Sequence, residues 1–446
     1  MIRVSLSDSF RHCRVLCLAL FAFAACTDSA PPSGPSLSGI AAARAAGGNG
    51  PTVKSTDPDT ATVDTTLNVR VFGSGYDQGS RANWAFKGVI SEKIVTNSTQ
   101  FVSSTELVAN ITIARHANLG SHDVIVTTSA GKGGIGTELF VVTLKTIPLG
   151  TLGGLSSEAQ AINNLGQVVG FSKNVAGHEH AFLWTKEGGM RDLGTLGGTW
   201  SHAWDINDAG QVVGQTGGAD GFLRAFLWTE ADGMRDIGIG GAYGIAANGD
   251  VTMMGLSSRS SSWAVFHWSS GVSVEISTIA ARTHDVNNMG QVVGYSDQLL
   301  GAILWSRTAN GWEEQMLGGS SSIAQGINDA GQVVGIMRTP QGLPVGFVWT
   351  AAEGIKQLPN PTRRGSRGHS ISNSGEIAGF AEVSGGFKQA AVWSPVPGGW
   401  KLTNLAGELK GKTSWANDVN DVGQAVGWGV LETNATGVKA VLWEFR

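Results

Sequence analysis

The sequence repeats itself seven times between residue 144 and residue 446. Each copy carries a turn-like phrase such as Asn163-Asn164-Leu165-Gly166, followed about 20 residues later by a Trp. The seven Trp in register are Trp184, Trp228, Trp268, Trp305, Trp349, Trp393 and Trp443. Their spacing averages about 43 residues, which is the length of a four-stranded propeller blade.

Local signals within one repeat predict four strands. Gly166 recurs at the same place in all seven copies and supplies the positive φ that a tight hairpin requires. In the first copy the predicted strands are 159–162, 167–172, 180–185 and 190–196. No ten-residue window has a helical period, and the seven Trp are expected in the core. We therefore predict an all-β fold, with a seven-bladed β-propeller over residues 144–446.

The two ends of this region predict how the ring closes. The last copy stops at residue 446, just after its third strand, whereas residues 146–152 match the fourth-strand ending 190–196. An unpaired edge strand promotes aggregation, and a closed ring removes it. We therefore expect residues 146–152 to pair beside 440–445, with Pro148 tolerated because this strand lies at the outer edge.

Residues 51–143 have a different character. Short β-branched runs at 67–72, 107–113 and 123–128 alternate with turn residues, which predicts a small β-sandwich ahead of the propeller. The stretch from Pro51 to Gly79, with Gly73-Ser74-Gly75-Tyr76 where the usual pattern ends in Phe, resembles the IPT/TIG family. That resemblance implies an immunoglobulin-like domain with a spacing or adhesion role.

The repeats themselves also resemble a known family. His180-Ala181-Phe182 precedes the first Trp, and the phrase Gly-Thr-Leu-Gly-Gly occurs at 150–154 and again at 194–198. These motifs are similar to the HAF family of extracellular repeats over residues 144–446. The resemblance implies export and a β-propeller-like form, and it brings no defined catalytic activity.

The N-terminal segment predicts export. Residues 1–25 combine a basic start with an apolar run, as in a secretory signal peptide. Phe23-Ala24-Ala25-Cys26 resembles the bacterial lipobox, which implies that Cys26 is lipidated and that residues 26–50 are a flexible tether. The protein would then be an exported lipoprotein anchored at a membrane. The alternative is cleavage after Ala24 and secretion.

Composition and motifs exclude several function classes. Lys and Arg number 31 against 35 Asp and Glu, so no basic field favours nucleic acid as a partner. The nine His are scattered, and neither a zinc motif nor a nucleophile elbow occurs. Oxygen side chains alternate in Asp205-Ile206-Asn207-Asp208 and in Asp418-Val419-Asn420-Asp421, as in a calcium loop, but structural Asx turns are favoured. We predict no catalytic residue, metal or cofactor.

One position of the repeat varies in a way that suggests recognition. Three residues before the turn Asn, or before the residue that replaces it, the copies carry polar or amphipathic side chains. These are Gln160, Trp204, Tyr243, His284, Gln325, His369 and Asn417. If the inner strand lines the axis, they converge at one mouth of the channel, where such side chains bind sugars or peptides. The alternative is that they pack between blades with their polar atoms satisfied locally.

The sequence thus predicts a non-enzymatic recognition or scaffold protein of a bacterial cell surface, which binds a glycan, peptide or protein. The alternative function is a propeller enzyme, a lyase or hydrolase acting on a polysaccharide or a lactone. An enzyme would need a cluster of His, Asp and Glu at one mouth, and His284 and His369 are the residues at equivalent places.

Overall fold

The computed structural model describes residues 50–257, 259, 262–277, 279–318, 321–407, 413–430 and 437–445. The regular elements in these residues are β-strands throughout. Within the same ranges, no helix is long and apolar enough to cross a membrane. The predicted signal peptide, Cys26 and tether lie outside the described residues.

The first two sheets form a sandwich. One contains β1 (Thr52–Asp57), β3 (Thr65–Ser74), β7 (Glu106–Ile113) and β6 (Ile94–Ser103), and the other β2 (Thr60–Thr62), β9 (Gly133–Thr143), β8 (Gly120–Thr127), β4 (Arg81–Phe86) and β5 (Val89–Ile90). Both sheets contribute to one core, in which Trp84 meets Phe140 edge to face at 5.8 Å between ring centroids. The three predicted strand runs are present as β3, β7 and β8.

The described residues after Thr143 form seven four-stranded antiparallel sheets. The first three contain β11 (Gly153–Ile162), β12 (Val168–Asn174), β13 (Glu179–Thr185), β14 (Gly189–Asp192); β15 (Gly197–Ile206), β16 (Val212–Gly218), β17 (Leu223–Thr229), β18 (Gly233–Ile239); and β19 (Gly241–Ile245), β20 (Val251–Leu256), β21 (Trp263–Ser269), β22 (Val272–Glu275). In each sheet the strands lie in chain order, so the first strand is innermost and the fourth outermost.

The remaining four sheets repeat this order. They contain β23 (Ala281–Val286), β24 (Val292–Ser296), β25 (Gly301–Thr308), β26 (Gly311–Met316); β27 (Ile323–Ile327), β28 (Val333–Arg338), β29 (Pro344–Thr350), β30 (Gly354–Gln357); β31 (Ser366–Ile371), β32 (Ile377–Glu382), β33 (Lys388–Val396), β34 (Gly399–Asn404); and β35 (Ser414–Val419), β36 (Gln424–Gly429), β37 (Lys439–Glu444), β10 (Lys145–Pro148). The outermost strand of the seventh sheet therefore comes from the start of the region.

The pairing of β10 with β37 closes the ring as the sequence predicted. Lys145 lies opposite Glu444 and Pro148 opposite Val441, and the Leu149 N–H donates to the Ala440 carbonyl at 3.0 Å. The first and seventh sheets also share a hydrophobic cluster. The sheets therefore form a closed β-propeller.

Two predicted strand ends were wrong. The closing strand ends at Pro148 rather than at residue 152, and β14 ends at Asp192 rather than at residue 196. In both places a glycine with positive φ turns the chain away from the sheet, Gly150 at 84° and Gly194 at 80°. The strands were predicted to extend too far because the turn residues that follow them also recur in the repeat.

The hairpin after each inner strand confirms the predicted turn. Gly166 and its six equivalents have φ between 71° and 86°. Asn163 accepts hydrogen bonds from the Leu165 and Gln167 N–H groups through Oδ1, and its Nδ2 donates to the carbonyl of Asn207 in the next sheet at 3.0 Å. Equivalent bonds between sheets are donated by Asn207, Asn287, Asn328 and Asn420. The turn Asn thus joins neighbouring sheets.

The seven Trp in register mostly behave as core residues. Six are buried, including Trp305, Trp393 and Trp443, which are fully inaccessible. Trp268 is half-buried and packs at the edge of a cluster with Val251 and Met253. The expectation of a uniformly buried Trp is therefore wrong for the third sheet alone.

Candidate functional site

Every inner strand is interrupted by one β-bulge at the same place. In β11 the register passes from Ala159 opposite Gly170 to Ala161 opposite Val169, so Gln160 is the extra residue. The other six inner strands have the same irregularity. A regular strand sends successive side chains to opposite faces, and a bulge breaks that alternation. Two successive side chains of a strand can therefore line the channel.

In six of the seven sheets, a glycine of the second strand lies opposite the residue before the bulge. A Cβ at Gly170 would lie 2.0 Å from the Glu158 carbonyl oxygen, and one at Gly379 would lie 1.8 Å from that of Arg367. Similar contacts occur at Gly214, Gly294, Gly335 and Gly427. A side chain at any of these six glycines would overlap the inner-strand carbonyl, which explains why the glycine recurs; in the third sheet, Met253 occupies the equivalent position opposite Ala242.

The structure brings all seven predicted ring residues together. They line one cavity of about 320 Å³ on the axis of the propeller, and they are Gln160, Trp204, Tyr243, His284, Gln325, His369 and Asn417. Each of them is the bulged residue of its strand. The convergence predicted from the repeat is thus present, and the role of these residues in binding stays a prediction.

One side of the cavity is aromatic. The rings of Trp204 and Tyr243 come from neighbouring sheets and stack with 6.1 Å between centroids and 23° between planes. Phe171 packs edge-on against Trp204, and the Tyr243 hydroxyl donates to Gln215 Oε1 at 3.2 Å. Trp204 Nε1 is buried and has no acceptor among the described residues. This side combines an apolar face with one unused donor.

The other side of the cavity carries amides and imidazoles. His369 Nδ1 lies 2.7 Å from the Asn417 carbonyl and donates to it, and Asn417 Nδ2 donates to the Ala159 carbonyl at 2.9 Å. Gln325 accepts a hydrogen bond from Arg367. The alternative, that the polar atoms of these positions are satisfied by local hydrogen bonds, is therefore correct in part. Trp204 Nε1 is an exception.

Besides Ala161, five polar residues line the same cavity and were not predicted from the sequence, namely Arg367, Asp205, Asp285, Ser370 and Asp418. The last four directly follow bulged residues, and three of them are Asp. That pattern was visible in the repeat but was attributed to turns. An arginine stands at this position of the repeat in two of the seven copies, as Arg282 and Arg367, and gave no periodic signal.

The three aspartates each connect two neighbouring sheets. Asp205 accepts the N–H of Ile206 in its own strand at 2.8 Å and that of Ile245 in the next sheet at 2.7 Å. Asp285 accepts from Val286 and Ile327 in the same way, and Asp418 from Val419 and Ile162. Asp205 and Asp418 are thus neither turn residues nor part of a calcium loop. Asp418 joins the last sheet to the first.

Burial shapes the charge of the cavity. It raises the pKa of Asp285 to about 7 and that of Asp418 to about 6, and it raises the pKa of Asp205 well above its usual range, with Asp285 and Asp418 adding to the shift. Burial, and then the charge of Arg367, lowers the pKa of His284 to about 4 and that of His369 to about 3. Both imidazoles are therefore neutral at pH 7 and offer hydrogen bonds without charge.

A second cavity, of about 190 Å³, lies on the turn side of the same three aspartates. At its rim, side chains accept backbone N–H groups from neighbouring turns: Asp208 from Asn164 at 2.8 Å, and Asn164 from Asp421 at 2.9 Å. In the part of the chain that the structure describes, no three His, Cys, Asp or Glu side chains are placed to hold one metal ion. The rim is built from bonds between turns.

Comparisons with known proteins identify no family. No family model and no curated protein matches the sequence. Among solved structures, TolB from Acinetobacter baumannii is 10% identical with a TM-score of 0.35, over 59% of this chain and 75% of its own. An Aleuria aurantia lectin mutant in complex with Fucα1-6GlcNAc is 12% identical with a TM-score of 0.33, over 55% and 94%. A mutant puromycin hydrolase is 10% identical with a TM-score of 0.32, over 80% and 60%. Similarity this low assigns neither ligand nor activity.

Replacing Asp418 by Asn tests the connection between the first and last sheets. An amide has one oxygen and cannot accept the N–H groups of both Val419 and Ile162, so we expect a loss of roughly 1–3 kcal/mol in the free energy of unfolding. Because burial raises the pKa of Asp418 from 3.8 to about 6, its protonated form stabilises the fold below pH 4, and this contribution is lost as pH rises through 6. The cost of the substitution should therefore decrease between pH 4 and pH 7 in chemical denaturation.

Asp421→Asn is the matched control. Asp421 accepts the Ser374 N–H at 2.8 Å, and Asn residues make the same bond in other copies, for example Asn288 with the Ala247 N–H. This variant should unfold like the parent protein. Equal stability of the two variants, or a cost at residue 418 that is independent of pH, would contradict the proposed role of Asp418.

Proposed function

We propose that the protein is an exported, non-enzymatic recognition protein of the bacterial cell surface, and that it binds a glycan in the axial cavity. The observation that carries the proposal is the convergence in one cavity of a stacked Trp204 and Tyr243 with the amides Gln160, Gln325 and Asn417. Aromatic faces pack against the C–H faces of sugars, and amides pair with hydroxyl groups both as donors and as acceptors.

The size of the cavity favours a glycan over a protein partner. A volume of about 320 Å³ lies at the small end of the range for small-molecule sites. A stable protein partner needs a contact surface of roughly 800 Å² on each side, which an axial cavity does not offer. A sugar at the end of a glycan chain fits the cavity, and peptide or protein ligands remain outcomes of the test.

We infer a domain organisation that serves this function. The seven sheets are the blades of a seven-bladed propeller built from HAF-type repeats over residues 144–446, and residues 51–143 are an IPT/TIG-like, immunoglobulin-type domain. In this arrangement the sandwich separates the binding cavity from the membrane. Two observations support this organisation: the two sheets of the sandwich share one core, and the chain passes directly from β9 into the closing strand β10.

We also propose that residues 1–25 are a signal peptide and that Cys26 carries the lipid anchor, with residues 26–50 as the tether. Replacing Cys26 by Ser removes the acylated thiol. We expect the variant to move from the detergent-soluble membrane fraction to the soluble fraction, because one side chain then no longer carries the acyl groups that hold the protein there. Fractionation and immunoblotting measure this, and an unchanged distribution would exclude the anchor.

An enzyme acting on a polysaccharide or a lactone is the second candidate. The observation in its favour is the pair His284 and His369, whose neutral imidazoles line the cavity and offer a base. Among the described residues, however, neither imidazole is hydrogen-bonded to a carboxylate, and His369 Nδ1 is occupied by the Asn417 carbonyl. Turnover of a polysaccharide or lactone by the purified protein, lost in His284→Gln, would favour the enzyme.

A glycan array probed with the full chain tests the recognition proposal. We expect binding to a defined set of glycans and a loss of at least about tenfold in affinity for Trp204→Ala combined with Tyr243→Ala, because both stacking faces are removed. Trp263→Ala is the matched control, since Trp263 is 40% exposed and lies outside the cavity. Unchanged binding by the double variant, or a large loss of thermal stability, would assign the two rings to the core instead.

A further inference from the structure

The axial cavity contains a cation that has no carboxylate partner among the described residues. Arg367 lies in β31 of the sixth sheet and lines the cavity together with His369 of the same strand. Among the described residues, no Asp or Glu oxygen forms an ion pair with its guanidinium. Burial lowers the pKa of Arg367, and no carboxylate opposes that shift. Arg367 is partly buried, and charges removed from water in proteins are normally paired, so its guanidinium lacks the counterion expected of such a group.

The equivalent arginine of the fourth sheet, Arg282, has the counterion that Arg367 lacks among the described residues. It lies five residues before the turn residue in the fourth sheet, as Arg367 does in the sixth. Arg282 is exposed, and its Nε lies 3.2 Å from Asp297 in an ordinary surface ion pair. The repeat therefore accommodates an arginine with a counterion at this place, and Arg367 lacks one.

The guanidinium of Arg367 is held in place but keeps a free donor. It donates to Gln325 Oε1 through Nη2, and its centre lies 5.8 Å from the Trp415 ring centroid. The Nε–H is buried and has no acceptor among the described residues. A carboxylate binds arginine through two parallel N–H groups, and the Nε–H of Arg367 is available as one of them.

The aspartates of the cavity do not supply the missing charge. Both oxygens of Asp285 and both oxygens of Asp418 accept backbone N–H groups, and Asp418 also accepts from Ser370. Their hydrogen-bonding capacity is directed at the sheets. No carboxylate in the part of the chain that the structure describes is then available as the counterion of Arg367.

We propose that Arg367 binds the carboxylate of an acidic sugar, so that the glycan recognised by this protein contains uronic acid residues. The inference rests on the proposed glycan-binding function and names the class of glycan. The carboxylate pairs with the guanidinium near Trp415, and the sugar ring packs against Trp204 on the aromatic side of the cavity. Specificity then comes from Arg367, which lines the cavity, whereas its equivalent Arg282 does not.

Calorimetric titration of the full chain tests this inference. The probes are oligosaccharides of glucuronate, galacturonate and mannuronate, each compared with its carboxyl-reduced twin, which differs only in the acid group. We expect one uronate series to bind at least about tenfold more tightly than its reduced twin, because an arginine–carboxylate pair contributes roughly that much. Arg367→Gln should lose about 10- to 100-fold in affinity for the uronate and little for the twin.

Arg282→Gln is the matched control and should bind like the parent protein. Arg367→Lys keeps the positive charge but loses the parallel N–H donors of the guanidinium, so this variant should retain part of the preference for the uronate. The melting temperature of Arg367→Gln should not fall, since the substitution removes a partly buried charge that has no carboxylate partner among the described residues. Equal affinity for a uronate and its reduced twin, or a marked loss of stability in Arg367→Gln, overturns the inference and leaves glycan binding intact. A chain that binds none of these sugars and no glycan on the array overturns both proposals.

Discussion

Each inner strand of the propeller bulges three residues before its turn, and the chemistry of the axis depends on that irregularity. Without it, the ring residues and the residues that follow them would face opposite sides of the strand. With it, Trp204 and Asp205 line the same cavity, as do His284 and Asp285. In six sheets, a glycine of the second strand lies opposite the residue before the bulge, where a side chain would meet the inner-strand carbonyl.

The three aspartates follow a rule that the ring imposes. Each carboxylate accepts one N–H from its own sheet and one from the next, so that aspartates in adjacent sheets would compete for the same group. They occur in the second, fourth and seventh sheets, and together they take up six inward N–H groups. Because each aspartate accepts from two sheets, three aspartates serve six of the seven sheets. The remaining sheet is the sixth, which carries Ser370 in place of an aspartate, and Ser370 donates to Asp418. Asp418 therefore connects both to the first sheet and to the sixth.

Much of this architecture could be predicted from the sequence because the repeat records it. The turn glycines, the closing strand and the seven ring positions recur or match in register, and each was found where expected. The bulge could not be predicted from the sequence. A strand is recognised by the alternation of its side chains between two faces, and one extra residue in a strand of at most ten does not stand out against that alternation. The strand ends at 192 and 148 were missed because the glycine turns that follow them also repeat. Arg367 was missed because an arginine stands at this position in two of the seven copies and therefore gives no periodic signal.

The positions that recur serve structure, whereas those that vary face the channel. Asn163 and its equivalents connect the turns, and the buried Trp fill the sheets. Trp204 and Tyr243 have no counterparts of the same type in the ring, and Arg367 differs from its equivalent Arg282 in lining the cavity. A specific site is inferred from these three residues. A crystal structure of the full chain with a uronate oligosaccharide is the most direct test. The account predicts a sugar on the axis with its carboxylate within hydrogen-bonding distance of Arg367 Nε. A sugar bound elsewhere, with the axial cavity empty, would contradict it.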